Sequence, residues 1–335
     1  MGIDFTRPNL FRAILYFLLL YLLFRFRDLY PGGVIETAED PMMPLQHGLA
    51  GFFGKHPFWR EIAMLGLCLS NAFGITRILS RNLIYLERTF VPALIYPLVA
   101  LGYSSSAMTP VTLMAAFLVI FAIDSMIKSH KREENFGYFL HASVALGFAP
   151  LLYAPSVVFL LLLPIGCSLF RQNWRSIVTA ILGYFLPVFF CSYVFWGMGD
   201  DFGGTIRQII TVITTRSGEA FFVLRMEAWD YVLAGLFLVL TVLAMAGFSR
   251  TRTQLRRRAI RGFAVFGWTL LLTLGMSLLP GGSPDLLPIL AVPLAALIPA
   301  AFNRKSGWYP NLLYLSMIWI VVAYNLFRIL PSFQS

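Results

Sequence analysis

Charge is what this sequence has least of. Of its 335 residues only 13% are Asp, Glu, Lys or Arg, while 58% are hydrophobic; a soluble domain averages about 25% and about 45–50%. A soluble globule of this length cannot bury so much apolar surface, so lipid must solvate it. Cysteine is equally sparse. Cys68, Cys167 and Cys191 all fall within or beside apolar runs, and no CxxC or Cys/His cluster exists. That excludes a disulfide framework and a structural zinc site. Histidine occurs four times, and His47 and His56, nine residues apart, lack helical metal-ligand spacing. No internal repeat or low-complexity stretch interrupts the chain. The net charge of +10 does not point to nucleic acid as a partner, because no basic patch is interleaved with aromatics on a soluble segment.

Long apolar runs dominate instead. Residues 10–24, 231–248 and 312–327 show no continuous polar face, which excludes ordinary amphipathic surface helices. The first run has no small-residue cleavage site and passes directly into Arg25-Phe26-Arg27-Asp28, so it reads as an uncleaved span. Hydropathy predicts an all-α polytopic bundle of about 11 transmembrane helices, near 9–24, 61–80, 88–103, 109–127, 136–152, 155–170, 177–196, 230–248, 262–279, 284–302 and 309–328. The boundaries are least defined in 61–103, where Arg77, Arg81, Glu87 and Arg88 crowd between two apolar stretches.

The charges assign a face to each loop. With the N-terminus in the cytoplasm, alternate segments there collect 18 of the 26 Lys and Arg residues, and 11 of the 16 acids fall outside. This is the positive-inside distribution, and an odd number of spans puts the C-terminus outside. The expected location is the inner (cytoplasmic) membrane of a bacterium, crossed many times, with the lipid bilayer as the first partner. The arginine-rich segment TRTQLRRRAIR would attract anionic headgroups from the cytoplasmic side.

Function would then have to lie in two long external loops, residues 25–60 and 197–229. Both contain apolar residues (49–53, 206–213 and 221–224), which predict short helices lying at the membrane surface. The first loop carries Asp28, Glu36, Glu39, Asp40 and Glu61 with His47, Lys55, His56 and Arg60. The second adds Asp200, Asp201, Glu219, Glu227 and Asp230 with Arg207, Arg216 and Arg225. Carboxylates can hold a divalent cation or act as bases, and arginines suit phosphate. Plain solvation is the commoner explanation for any one loop acid. Asp124, the lone carboxylate in a span, lies one turn from Lys128, and a local i,i+4 ion pair is the favoured reading over a transport role.

The stretch 110–187 adds a family pattern. An apolar span and a basic turn lead to a span ending in Gly147-Phe148-Ala149. A leucine-rich span, Arg171, Trp174-Arg175 and a span with Gly183 and Pro187 follow. This pattern, with a long loop after the first span and another after the seventh, resembles the GT-C superfamily of glycosyltransferases, especially its aminoarabinose and mannosyl transferase-like branch. The chain is also similar to multi-pass membrane proteins of Bacteroidetes bacteria. The resemblance covers roughly residues 1–230 as a GT-C-like module with its two external loops, leaving 231–335 as C-terminal transmembrane helices.

It implies transfer of a sugar from a polyprenyl-phosphate carrier at the external face, in envelope glycan assembly. Asp28, Glu39 or Asp40 would then be the base or the ligand of a divalent cation, and Arg60, His47, Arg207, Arg216 and Arg225 would bind the substrate. The chain departs from the branch in its acids: Glu39-Asp40 stands further from the first span, and YSSSAMTP carries none. Two other readings therefore stay open: a non-catalytic membrane subunit of an envelope assembly or secretion complex, and a lipid or small-molecule transporter.

Overall fold

The computed structural model describes residues 10–29, 43–85, 89–103, 109–129, 136–199, 201–214, 228–279, 283–302 and 308–329. Among them all regular structure is helical. Helix α1 spans Leu10–Leu29, α2 Pro44–Lys55, α3 Pro57–Arg81, α4 Val91–Ala100, α5 Pro110–Ser129 and α6 Phe136–Leu152. A 3-10 stretch, Ala154–Leu161, continues into α7, Leu162–Leu169. Then come α8 (Trp174–Gly197), α9 (Gly204–Thr214), α10 (Ala228–Thr251), α11 (Arg257–Ser277), α12 (Leu287–Leu297), α13 (Pro299–Phe302) and α14 (Trp308–Ile329).

Proline marks several starts. Pro44, Pro57, Pro92 and Pro110 sit in the first turns of α2, α3, α4 and α5, where the missing N–H costs nothing. Two helices that end between apolar runs close without glycine. After α3, Leu83 takes φ 49°, its N–H reaches Ser80 O, and Ile84 N–H reaches Leu79 O. After α7, Arg171 takes φ 54°, with Arg171 N–H on Ser168 O and Gln172 N–H on Cys167 O. Both are Schellman closures that place an ordinary side chain in the left-handed position.

Among the described residues, six stretches are long and apolar enough to cross a membrane: Pro57–Arg81, Pro110–Ser129, Trp174–Gly197, Trp229–Arg250, Arg257–Ser277 and Pro284–Phe302. They differ in place. In Pro284–Phe302, 83% of the most apolar stretch is buried within the protein, against 33% in Trp229–Arg250. The first is therefore central, packed on α4 and α5, and the second is peripheral. On α8, Leu182, Phe185, Leu186, Phe189 and Phe190 are exposed together, a face that only lipid or another apolar surface could cover.

The contact between α6 and α8 closes through small residues. A Cβ on Gly147 of α6 would meet Tyr184 O of α8 at 2.1 Å, and one on Gly183 of α8 would meet Ser143 Oγ at 2.3 Å. The two backbones touch, as membrane helices do where glycine and serine line the contact. Gly147, Gly183 and Pro187, three of the residues that carry the family pattern, thus have a packing role at this one contact.

The reading of residues 155–170 as one span meets a break in helix type at Leu161–Leu162, and 88–103 holds only ten α-helical residues, all buried. Helix α1 runs five residues past the expected end at 24, so Asp28 lies in its last turn and not in the loop.

Candidate functional site

Loops 25–60 and 197–229 each contribute a short helix, and the fold brings both onto one platform. Met43 at the start of α2 and Ile209 of α9 pack in a single cluster with Leu151 and Ala154 (the end of α6 and the turn after it) and with Val188 and Cys191 of α8. Leu45, Val212 and Ile213 line its edge. α2 contains the apolar stretch 49–53 and α9 contains 206–213; residues 221–224 lie outside the described residues. On α9 the inward face is Thr205 and Ile209, while Ile206 and Ile210 stay exposed, as an interfacial helix requires. Exposed aromatics ring the same end: Phe58 and Trp59 open α3, Tyr193 and Trp196 end α8, and Trp229 opens α10. Such girdles mark the headgroup level of a bilayer.

Charged side chains at this end are mostly engaged. Arg25, only 12% exposed, grips Glu61 with two bonds, Nε to Oε2 at 2.8 Å and Nη2 to Oε1, across from α1 to α3. Arg60 shares the same carboxylate at 3.3 Å. Two guanidiniums thus meet at one carboxylate beside the start of α3. Arg207 is 79% exposed and lies 3.5 Å from Asp201, a solvated pair of little energetic weight. His47 is exposed on α2, with its backbone N–H bonded to Met43 O at 2.8 Å. Asp28 is placed in α1, whereas Glu39, Asp40, Arg216 and Arg225 lie outside the described residues. The structure therefore groups Arg60 with Arg25 and Glu61, and sets α2 and α9 on one platform. Among the described residues no group of three or more His, Cys, Asp or Glu could hold a metal ion.

Two features were missed by sequence reasoning. Asp230, counted among the solvated loop acids, is fully buried at the start of α10 and accepts a 2.6 Å bond from the Tyr324 hydroxyl of α14. Its only sequence signal is its place at the head of an apolar run. Asn71, in α3, is also fully buried; its amide donates to Tyr96 Oη and Leu113 O, both at 3.0 Å, tying α3 to α4 and α5. The Asp124–Lys128 pair does form, at 2.7 Å, and Arg81 joins it from α3.

These helices, with their apolar outer faces and ringed ends, are those of a multi-pass membrane protein. The chain matches no protein-family model, no curated protein and no solved structure.

Proposed function

We propose that the chain crosses the bacterial inner membrane eleven times and works at the external face as a GT-C-like glycosyltransferase of envelope glycan assembly. The passes would be α1, α3, α4, α5, α6, the segment Ala154–Leu169, α8, α10, α11, the segment Pro284–Phe302 and α14, with the N-terminus in the cytoplasm. The reading rests on one observation above all: α2 and α9, from two loops far apart in sequence, dock on one apolar platform at the aromatic-ringed end. A surface of two interfacial helices beside the Arg25–Arg60 pair suits a lipid whose phosphate sits at headgroup level.

In the proposed reaction a carboxylate among Asp28, Glu39 and Asp40 takes the proton of an acceptor hydroxyl. The acceptor oxygen bonds to the anomeric carbon, the bond from that carbon to the carrier phosphate oxygen breaks, and polyprenyl phosphate leaves with the electron pair. Arg60, with His47, Arg207, Arg216 and Arg225, would hold the phosphate. A divalent cation could share that task. Replacing Glu39 and Asp40 together by Ala, at unchanged protein level, should abolish the transferred sugar on glycans or lipid-linked intermediates in cells. Undisturbed glycan would overturn the reading.

One observation favours a second reading, a non-catalytic subunit of an envelope assembly or secretion complex. Glu61, Asp201 and Asp230, three of the acids assigned to the two loops, are each held in an ion pair or hydrogen bond. That reading predicts a stable membrane partner on affinity purification and tolerance of substitution at every loop acid.

A further inference from the structure

The opposite end of the bundle holds a charge imbalance that the external-face reading does not use. Asp124, in the last turns of α5 and only 16% exposed, accepts Arg81 of α3 on Oδ1 and Lys128 on Oδ2. Both carboxylate oxygens are thereby occupied. A third cation lies near this corner. Gly262 lets α11 press against this corner, since a Cβ there would meet Ile84 Cδ1 at 2.9 Å and Ile127 Cδ1 at 3.5 Å. Arg258 lies one turn earlier on the same face, within electrostatic reach of both Arg81 and Asp124. Its Nε is buried and makes no hydrogen bond among the described residues.

Three cations thus converge on one carboxylate, a surplus of two positive charges among the described side chains, in a corner that is half-buried. Partial burial makes such a surplus costly, because neither water nor salt screens it fully. Nothing on α11 offsets it. The helix starts with Arg256 at its N-cap and Arg257 in its first turn, has no acidic residue there, and has no side-chain cap. Its own dipole adds positive potential at the same spot. A small ligand with several anionic oxygens would satisfy the buried Nε–H and the two flanking cations together, and phosphate has that geometry.

We propose that Arg81, Lys128 and Arg258 form a binding site for a phosphate-bearing anion at the end of the bundle away from α2 and α9. The phosphate belongs either to a phospholipid headgroup of that leaflet or to a soluble phosphate. The site stands independently of the transferase reading.

Full-length protein in a neutral detergent is titrated in two arms, with phosphatidylglycerol in mixed micelles and with sodium phosphate at constant ionic strength. Binding is followed by native mass spectrometry and thermal shift. Saturable binding of the lipid alone assigns a headgroup, and saturation by inorganic phosphate assigns a soluble ligand. R258Q and K128Q should each weaken the bound probe about ten-fold or more, while R250Q, an exposed arginine at the end of α10, should change it less than about two-fold. D124N raises the surplus charge and should tighten binding. If R258Q does not fold, K128Q and D124N carry the test, because a purely structural cluster lowers thermal stability in both without moving probe affinity. Failure of both probes to saturate, equal losses in R250Q and R258Q, or weaker binding by a folded D124N would each overturn the proposal.

Discussion

The hydroxyl of Tyr324 donates a 2.6 Å hydrogen bond to Oδ1 of Asp230, joining the far end of α14 to the start of α10. The neighbouring Asn325 donates to Gly102 O at 3.0 Å and so ties the same part of α14 to the turn after α4. Tyr103 lies within electrostatic reach of the same carboxylate. Three chain segments far apart in sequence therefore share one buried polar node. Replacing Tyr324 by Phe removes a donor from a carboxylate that water cannot reach. The expected loss is about 1–3 kcal/mol of stability, read as a lowered unfolding temperature in detergent. An unchanged temperature would mean that the bond contributes nothing.

Glu61 accepts from two arginines, Arg25 and Arg60. E61Q should cost about 1–2 kcal/mol, because it removes the charge that the largely buried Arg25 grips with two bonds, yet less than the roughly 3–5 kcal/mol of a fully buried pair, since Glu61 is about one-third exposed. The double change Arg25→Met with Glu61→Met should recover most of that loss. Unfolding measurements on the single and double variants decide the point.

Arg171 occupies the left-handed position that closes α7, at φ 54°. Glycine adopts this conformation without the Cβ clash. Arg171→Gly should therefore raise stability by about 0.5–1 kcal/mol. Thermal unfolding in detergent checks this, and a lowered unfolding temperature would overturn it.

Two glycines give opposite expectations. Gly147 is pressed against Tyr184 O, so Gly147→Ala must push α6 and α8 apart and should lower expression and stability by more than about 3 kcal/mol. A Cβ on Gly66, in α3, meets nothing within 4 Å. Gly66→Ala should stabilise by about 0.5–1 kcal/mol through helix propensity alone. Comparable losses in both variants would overturn the packing account of the α6–α8 contact.

Much of the architecture was legible before any coordinates. Apolar runs and their interruptions located the helices because a backbone in lipid must satisfy its hydrogen bonds within its own segment. The apolar stretches inside the two long loops announced α2 and α9 for the same reason that amphipathic helices settle at an interface. The pair Asp124–Lys128 was readable because a four-residue spacing on a helix is a local, fixed distance.

The sequence by itself determined that the protein is helical, that lipid is its solvent, and that basic residues gather in alternate loops. Only the tertiary structure decided which charges meet. Arg25 with Glu61, Arg81 with Asp124, and Asp230 with Tyr324 are separated by 36, 43 and 94 residues, and no periodicity links them. It also decided that α12 is central while α10 is peripheral, although the peripheral run is the more apolar of the two. Hydropathy reports how much a helix avoids water, not whether lipid or protein takes its place. That choice depends on close approaches such as Gly147 against the Tyr184 backbone and Gly262 against the Ile84 side chain, which exist only once the helices are packed.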